Sequence, residues 1–456
     1  MQKPGRKPRG RSTAKPGQLL RLEVTDIATG GAGEARFGRT RCTVWGGLPG
    51  DVVDARVDRL EGGFATTRVE QVVESTIDRI EPRCGHFGIC GGCIWQDVDY
   101  ETQLSMKGRF VTRCLARAGL EATGEVVGSP QVYGCRNRMD FSFGQHPEGR
   151  LMLGLFAAPW KLGANEPAQE VSLTRGKMPP VFDLEACHLQ SDLSNQVVHA
   201  AQTAFRNARM RAYDTHSRAG LLRSMTVRDS KHSGDLLVNV MAARALPDGS
   251  SVEPLMACSD RVKGVVVSVN RKRSRHAAPK AVDTVAGEDR ICERILGLDI
   301  EVSATSFLQV NTPQAERLYE LALTFAGLTG AERVVDLYCG SGTLSLLLAG
   351  RAGSVTGVEI LEASADDARR NAERNGVENC TFVAGDVAEV VPSLSTGAER
   401  VDVVTVNPPR AGVHLSAIRA ICDIGPHTVV YVSCSAETLA RDLRHFQAGG
   451  YGTEEV

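Results

Sequence analysis

The sequence predicts an α/β protein built in three consecutive parts: a small N-terminal β-barrel, a β-rich middle, and a C-terminal domain with a parallel, doubly wound sheet. Three observations carry this. Between Gly17 and Glu74 short alternating strands are separated by Gly-rich turns, and from Tyr133 to about Ile300 strand-like runs dominate. After Thr312 helices alternate with continuous β-branched runs, the mark of strands covered on both faces. At 456 residues the chain exceeds one ordinary core, and length alone implies roughly two to four domains.

In chain order, "MQKPGRKPRGRSTAKPG" holds six basic residues and no acid among Pro and Gly, so residues 1–16 are expected to be a disordered basic tail. "QLLRLEVTDIA", "RCTVWGG", "DVVDARVDRL" and "FATTRVEQVV" are strands of a nearly closed barrel over residues 17–75. Such barrels often present strands and loops to oligonucleotides, although the barrel can also be purely structural. A cysteine-rich knot from Cys84 to Cys93 follows, then an amphipathic helix over about 97–120. The middle part, 76–300, carries "RNRMDFSFG", "LLRSMTVRD", "DLLVNVMA" and "KGVVVSVN" as strands, with a helix near Asp192 to Ala208. Residues 301–456 form the doubly wound part, with strands at "RVVDLYC", "SVTGVEI", "CTFVAGD", "VDVVTVNPP" and "HTVVYVSC". No internal repeat or coiled-coil heptad is present.

Lys+Arg 53 against Asp+Glu 54 leaves the net charge near zero, so affinity for nucleic acid has to come from local clusters such as the tail and "NRKRSRHAAPK", Asn270 to Lys280. No apolar run has signal-peptide or membrane length, which predicts a cytoplasmic protein without a membrane partner, expected as a monomer. Thirteen cysteines in such a chain are expected to bind metal or do chemistry instead of forming disulfides. Cys84, Cys90 and Cys93 have five and two residues between them, and Cys187 in "EACHLQ" supplies a distant fourth. All-thiolate tetrads hold zinc or an iron–sulfur cluster, and the three-plus-one spacing favours the cluster.

"VVDLYCGSGTLS" places Gly340 and Gly342 between a strand and a helix, where the backbone can approach an anionic ligand. A tight turn explains a lone Gly-x-Gly equally well. Ser345 stands where the dinucleotide fingerprint has its third glycine, which speaks against NAD. Glu359 ends the next strand, where a carboxylate can accept both ribose hydroxyls, and Asp386 follows the third, within reach of an adenine edge. "VNPPRAG" gives a stiff loop poor in amide donors beside that pocket. Cys434 ends the fifth strand at the carboxyl edge, flanked by Ser433 and Ser435.

Together "CGHFGICGGCIWQ", "RNRMDFSFG", "SFLQVN", "DLYCGSG", "GVEI", "NPPRAG" and "SCSAETLARD" resemble the RNA 5-methyluridine methyltransferase family, specifically its iron–sulfur members acting on 23S ribosomal RNA. The resemblance spans nearly the whole chain. It implies a TRAM-type, OB-like barrel, a central iron–sulfur domain with a 4Fe-4S cluster on Cys84, Cys90, Cys93 and Cys187, and a Rossmann-like methyltransferase domain. It further implies S-adenosylmethionine held by Gln309, Tyr338, Thr343, Glu359 and Asp386, with Asn407 at the matching loop position. Cys434 becomes the nucleophile that adds to carbon 6 of a uridine, because carbon 5 is otherwise too poor a nucleophile to take a methyl group. RNA is the implied partner, 23S ribosomal RNA first and tRNA as the alternative.

Three departures are visible. Asn407 replaces the family's usual Asp, and Ser435 and Ala436 replace its Asn-Pro after the cysteine. The family's general base is a glutamate on a strand well beyond the cysteine, whereas Val456 comes 22 residues after Cys434. The domain is therefore expected to be truncated, with Glu454 and Glu455 as late acids at the start of the preceding strand. Two alternatives follow: a noncatalytic or single-turnover RNA-binding relative, and an amino-group methyltransferase using the Asn-Pro-Pro loop. That loop normally has an aromatic fourth residue where Arg410 stands.

Overall fold

The computed structural model describes residues 14–121, 124–158, 171–172, 179–247, 249–271, 281–394 and 400–456. The first thirteen residues of the basic tail and most of the Asn270 to Lys280 run lie outside the described residues. The chain divides into two compact units, Met1–Phe110 with Leu155–Val171, and Val111–Gly154 with Ser172–Val456.

The first unit opens with β1 (Leu19–Ile27), β2 (Gly33–Phe37), β3 (Thr40–Trp45), β4 (Val52–Glu61) and β5 (Phe64–Glu74). They close into a barrel in the order β1-β2-β3-β5-β4. Strict alternation explains closure: Leu20, Leu22, Val24, Val44, Val53, Ala55, Val57 and Ala65 all point inward and are buried. Each large apolar side chain removed from water contributes about 1.5–3 kcal/mol. α1 (Tyr100–Ala116) falls within the span expected for a helix at about 97–120.

In the second unit, β6 (Arg138–Gln145), β7 (Leu151–Phe156), β8 (Val181–Asp183), α2 (Asp192–Asn207), β9 (Leu222–Asp229), β10 (Leu236–Ala242), α3 (Glu253–Met256), β11 (Val262–Val269) and β12 (Ala281–Gly287) follow. The strands form a seven-stranded sheet ordered β12-β11-β10-β9-β6-β7-β8, in which β10 and β11 run parallel. α2 starts at the Ser191 cap and buries Val197, Val198, Ala201 and Phe205, with Phe205 edge-on to Phe143 of β6. A hairpin, β13 (Arg290–Ile295) and β14 (Leu298–Ser303), leads into α4 (Thr312–Ala326).

The doubly wound part then runs β15 (Arg333–Leu337), α5 (Thr343–Ala349), β16 (Ser354–Glu359), α6 (Glu362–Arg374), β17 (Cys380–Ala384), α7 (Val387–Leu394), β18 (Val403–Val406), α8 (Leu415–Ile424), β19 (Thr428–Tyr431) and α9 (Ala436–Ala448). The sheet order is β17-β16-β15-β18-β19, every pair parallel. One face packs on α4, α5 and α6 through Tyr319, Leu323, Leu344, Leu348 and Ala368. The other packs on α7, α8 and α9 through Val391, Ala417, Ile421 and Phe446. The order reverses between β15 and β18, and that switch point is where ligands bind in open α/β sheets.

Two local expectations need correction. β19 stops at Tyr431, so Cys434 lies three residues beyond the strand, in the bend before α9. The ladder ends there because its neighbour β18 leaves the sheet at Asn407-Pro408-Pro409, and proline has no amide to continue pairing. Glu454 and Glu455 belong to no strand: the segment after Tyr451 has no regular structure and no ladder partner, and the Val456 carbonyl accepts from the Gly124 amide at 2.9 Å.

Candidate active site

The switch point is built by three loops. After β15 the chain turns through Tyr338, Gly340 and Gly342, all with positive φ (62°, 57° and 82°). Gly342 caps α5, and a Cβ there would lie 2.8 Å from Ala368 and 2.9 Å from Phe382, so a side chain is excluded. At Gly340, by contrast, a Cβ would meet nothing within 4 Å, which leaves open space above the turn. Glu359 locks this loop to the end of β16: one carboxylate oxygen accepts from the Gly340 amide at 3.1 Å, the other from Leu361 at 2.9 Å. Each oxygen keeps a lone pair for a further donor. Asp386 starts α7, its side chain accepting from the Ala388 amide at 2.8 Å. Burial first, then the Asp386 and Asp442 charges, raise the Tyr338 phenol above its ordinary pKa.

The segment between β14 and α4 carries Gln309, half-buried, and abuts the glycine loop where Ser341 Oγ donates to the Phe307 carbonyl at 3.3 Å. Asn407 closes the opposite side, its amide donating to the Leu337 carbonyl at 3.2 Å. Pro408 is buried while Pro409 and Arg410 are exposed. The exposed Cys434 sits between Ser433 and Ser435, which are tied by a Ser433 Oγ bond to the Ser435 carbonyl at 3.0 Å. Ser435 caps α9 by accepting from Thr438. Tyr338, Thr343, Glu359 and Asn407 thus border the middle of the sheet edge, at the ends of β15, β16 and β18, with the Gln309 segment against the glycine loop, Asp386 beyond β17 and Cys434 beyond β19.

Sequence reasoning missed two buried carboxylates. Asp336, in the middle of β15, accepts from Ser345 Oγ at 2.6 Å and Thr405 Oγ1 at 2.5 Å. Burial pushes it up to about 6, against the pull of those hydroxyls. This explains Ser345 in the third-glycine position: its hydroxyl is needed by the acid beneath. Asp442 in α9 accepts from the Val413 amide at 2.8 Å, Tyr431 Oη at 2.7 Å and Arg441 Nε at 2.7 Å, while Arg441 reaches the Ala411 carbonyl at 2.7 Å. The pair pins the Pro408 to Val413 loop. For Asp336 the signal was an acid inside an otherwise apolar strand; Asp442, in the polar helix α9, carried none.

Thr343 Oγ1, at the first turn of α5, is buried without a hydrogen-bond partner. With the open space over Gly340 and the two-oxygen acceptor of Glu359, this is a fit for a nucleoside-bearing ligand such as S-adenosylmethionine. For the cysteines, Cys84, Cys90 and Cys93 lie in the first unit and Cys187 in the second. The Gly92 amide donates to Cys90 Sγ at 3.3 Å, a contact suited to a thiolate, and Cys187 is buried. Among the described residues no group of three or more His, Cys, Asp or Glu side chains is arranged to hold a metal ion.

These features define an S-adenosylmethionine-dependent methyltransferase, and a methyltransferase-domain family model matches residues 328–443. Two curated relatives are uncharacterized RNA methyltransferases. That of Halalkalibacterium halodurans is 34% identical over 96% of this chain and 93% of its own length; that of Caldanaerobacter subterraneus is 32% identical over 96% and 95%. The chain belongs to this RNA methyltransferase family. Among solved structures, the Pyrococcus abyssi tRNA (uracil-54, C5)-methyltransferase in complex with S-adenosyl-L-homocysteine matches with a TM-score of 0.70, 26% identity and 93% coverage of both chains. No helix among the described residues is long and apolar enough to cross a membrane.

Proposed function

We propose that this enzyme methylates carbon 5 of a specific uridine in RNA, with 23S ribosomal RNA as its substrate. The observation that carries the reading is Cys434 exposed at the sheet edge beyond β19, on the far side of the Asn407 loop from the glycine turn. When bound, S-adenosylmethionine supplies an electrophilic methyl group. Glu359 accepts the ribose hydroxyls, Thr343 Oγ1 finds there the partner it lacks, Asp386 meets the adenine edge, and Tyr338 and Gln309 complete the wall. Asn407 and the two prolines hold the flipped base, since a base inside a helix is out of reach of a thiolate. The Cys434 sulfur forms a bond to carbon 6, and the electron pair displaced onto carbon 5 takes the methyl group as its bond to the donor's sulfur breaks, leaving S-adenosyl-L-homocysteine. Loss of the carbon-5 proton to a base then expels the thiolate. Cys84, Cys90, Cys93 and Cys187 hold a 4Fe-4S cluster that shapes the RNA-binding body and takes no part in these steps.

Support comes from the family, from the structural neighbour, which acts on uracil in tRNA, and from the resemblance of the cysteine motif to ribosomal RNA enzymes. The test is mass mapping of 5-methyluridine in ribosomal and transfer RNA from cells with and without the gene. Loss of one 5-methyluridine from 23S RNA is expected. Loss from tRNA alone would move the substrate, and loss of none would overturn the proposal.

A further inference from the structure

The segment carrying Gln309 is held by two sets of buried polar groups, one on β9 and one running from the residue before β6 to β13. Its carbonyls are taken one after another. Buried Arg228 of β9 donates to the carbonyls of Ala304, at 3.4 Å, and Ser306. Asn137, just before β6, donates from Nδ2 to the Gln309 carbonyl at 2.7 Å and from its amide to Val310 at 2.8 Å.

Asn137 is itself fixed. Its Nδ2 also donates to Thr312 Oγ1 at 2.9 Å, and that hydroxyl donates to Glu293 Oε2 at 2.9 Å. Glu293 is only 1% exposed and accepts further from the amides of Lys231 (2.8 Å), His232 (3.0 Å) and Arg294 (3.1 Å). The hydroxyl has one proton to give, so this polarity leaves Nδ2 as the donor that reaches Gln309. From the other side, Ser341 of the glycine loop donates to Phe307, and Asn371 Nδ2 donates to the Ser341 carbonyl at 3.1 Å.

We infer that Asn137, oriented by Thr312 and Glu293, is a positioning residue that sets the Gln309 segment against the glycine loop, so that the central sheet fixes the wall of the methyl-donor pocket. The inference rests on the reading above that Gln309 contacts the methyl donor. It gives a role to "RNRMDFSFG", a motif the proposed chemistry does not otherwise use. Asn137 directly precedes β6 and its amide group is oriented from β13 through Thr312, so it is held from two elements, and displacement of a pocket wall by about an ångström is enough to weaken a site severely.

The test uses the full chain with S-adenosyl-L-homocysteine as probe, measured calorimetrically, and substrate RNA binding as control. Thr312→Val keeps shape but removes the hydroxyl. It should raise the dissociation constant for the probe about tenfold, the value of one lost orienting bond. RNA affinity should stay within about twofold. Thr312→Ser should restore probe affinity, which a packing defect would not allow. Asn137→Asp keeps volume, replaces the donor by an acceptor, and should weaken the probe in the same direction should Thr312→Val fail to fold. Unchanged probe affinity in the folded variants, or equal losses in Thr312→Val and Thr312→Ser, overturns the inference. Gln309→Ala separates the two layers. A loss there with none in Thr312→Val sinks only the positioning role, whereas no loss in Gln309→Ala sinks the Gln309 reading and the inference together.

Discussion

Replacing Asp442 by Ala should cost the second unit about 3–5 kcal/mol, because its carboxylate is the shared acceptor of three donors and is completely buried. Two of the donors, the buried Val413 amide and the partly buried Tyr431 hydroxyl, would lose their partner, at roughly 1–3 kcal/mol each. Arg441, about half exposed, can turn to water and adds little. Against a typical stability of about 5–15 kcal/mol this is a large fraction. Asp442→Asn keeps one acceptor oxygen and should lose roughly half as much. Urea unfolding followed by far-ultraviolet circular dichroism gives the midpoints. At temperatures where the variants stay folded, S-adenosyl-L-homocysteine should still bind, while methylation falls because the Pro408 to Val413 loop is no longer pinned. Midpoints of both variants within about 0.5 kcal/mol of the parent, the range of an ordinary surface substitution, would refute the assignment of Asp442 as the anchor of that loop.

Asp336 provides a pH test. Its folded pKa of about 6 lies above the ordinary 3.8, so between those values the folded state holds a proton that the unfolded state has released; stability then falls by about 3 kcal/mol as pH rises through that window and is level above it. Asp336→Asn should remove this slope from urea midpoints taken between pH 4 and 7, and identical slopes would contradict it. On the barrel, Arg41 lies opposite Phe64, which is 55% exposed, with its guanidinium 5.4 Å from the ring centroid. Phe64→Ala should weaken RNA binding about tenfold, and Arg41→Gln should reduce the salt slope by about one; filter binding at several salt concentrations that leaves both unchanged would exclude this face. Protein purified without oxygen should be brown with about four iron atoms per chain and lose its colour in Cys90→Ser, whereas colourless protein with stoichiometric zinc would disprove the cluster.

The architecture was legible because burial pattern follows strand environment. Alternation in "QLLRLEVTDIA" marks a strand with one face in a barrel, and unbroken β-branched runs such as "VVTV" mark strands covered on both sides. The positions of Glu359 and Asp386 followed from strand ends, which periodicity locates well. The end of β19 was not legible, since it depends on a neighbouring strand turning away at two prolines some 25 residues earlier. Nor were the Glu293–Thr312–Asn137 chain and the Asp336 cluster. Their partners lie far apart in sequence, up to 175 residues for Asn137 and Thr312, and a polar residue does not announce which distant group it will meet.

The measurement that bears most directly on the central claim is covalent trapping at Cys434. Substrate RNA carrying 5-fluorouridine, incubated with the enzyme and S-adenosylmethionine, presents a fluorine where the departing proton would be, so a thiolate added at carbon 6 cannot be expelled. A methylated protein–RNA adduct stable on a denaturing gel, with the RNA mass on the peptide containing Cys434, is the predicted result. Cys434→Ala should bind S-adenosyl-L-homocysteine as the parent does and give no adduct. Methylation of unmodified uridine RNA by Cys434→Ala, or an adduct mapped to another residue, would contradict the account.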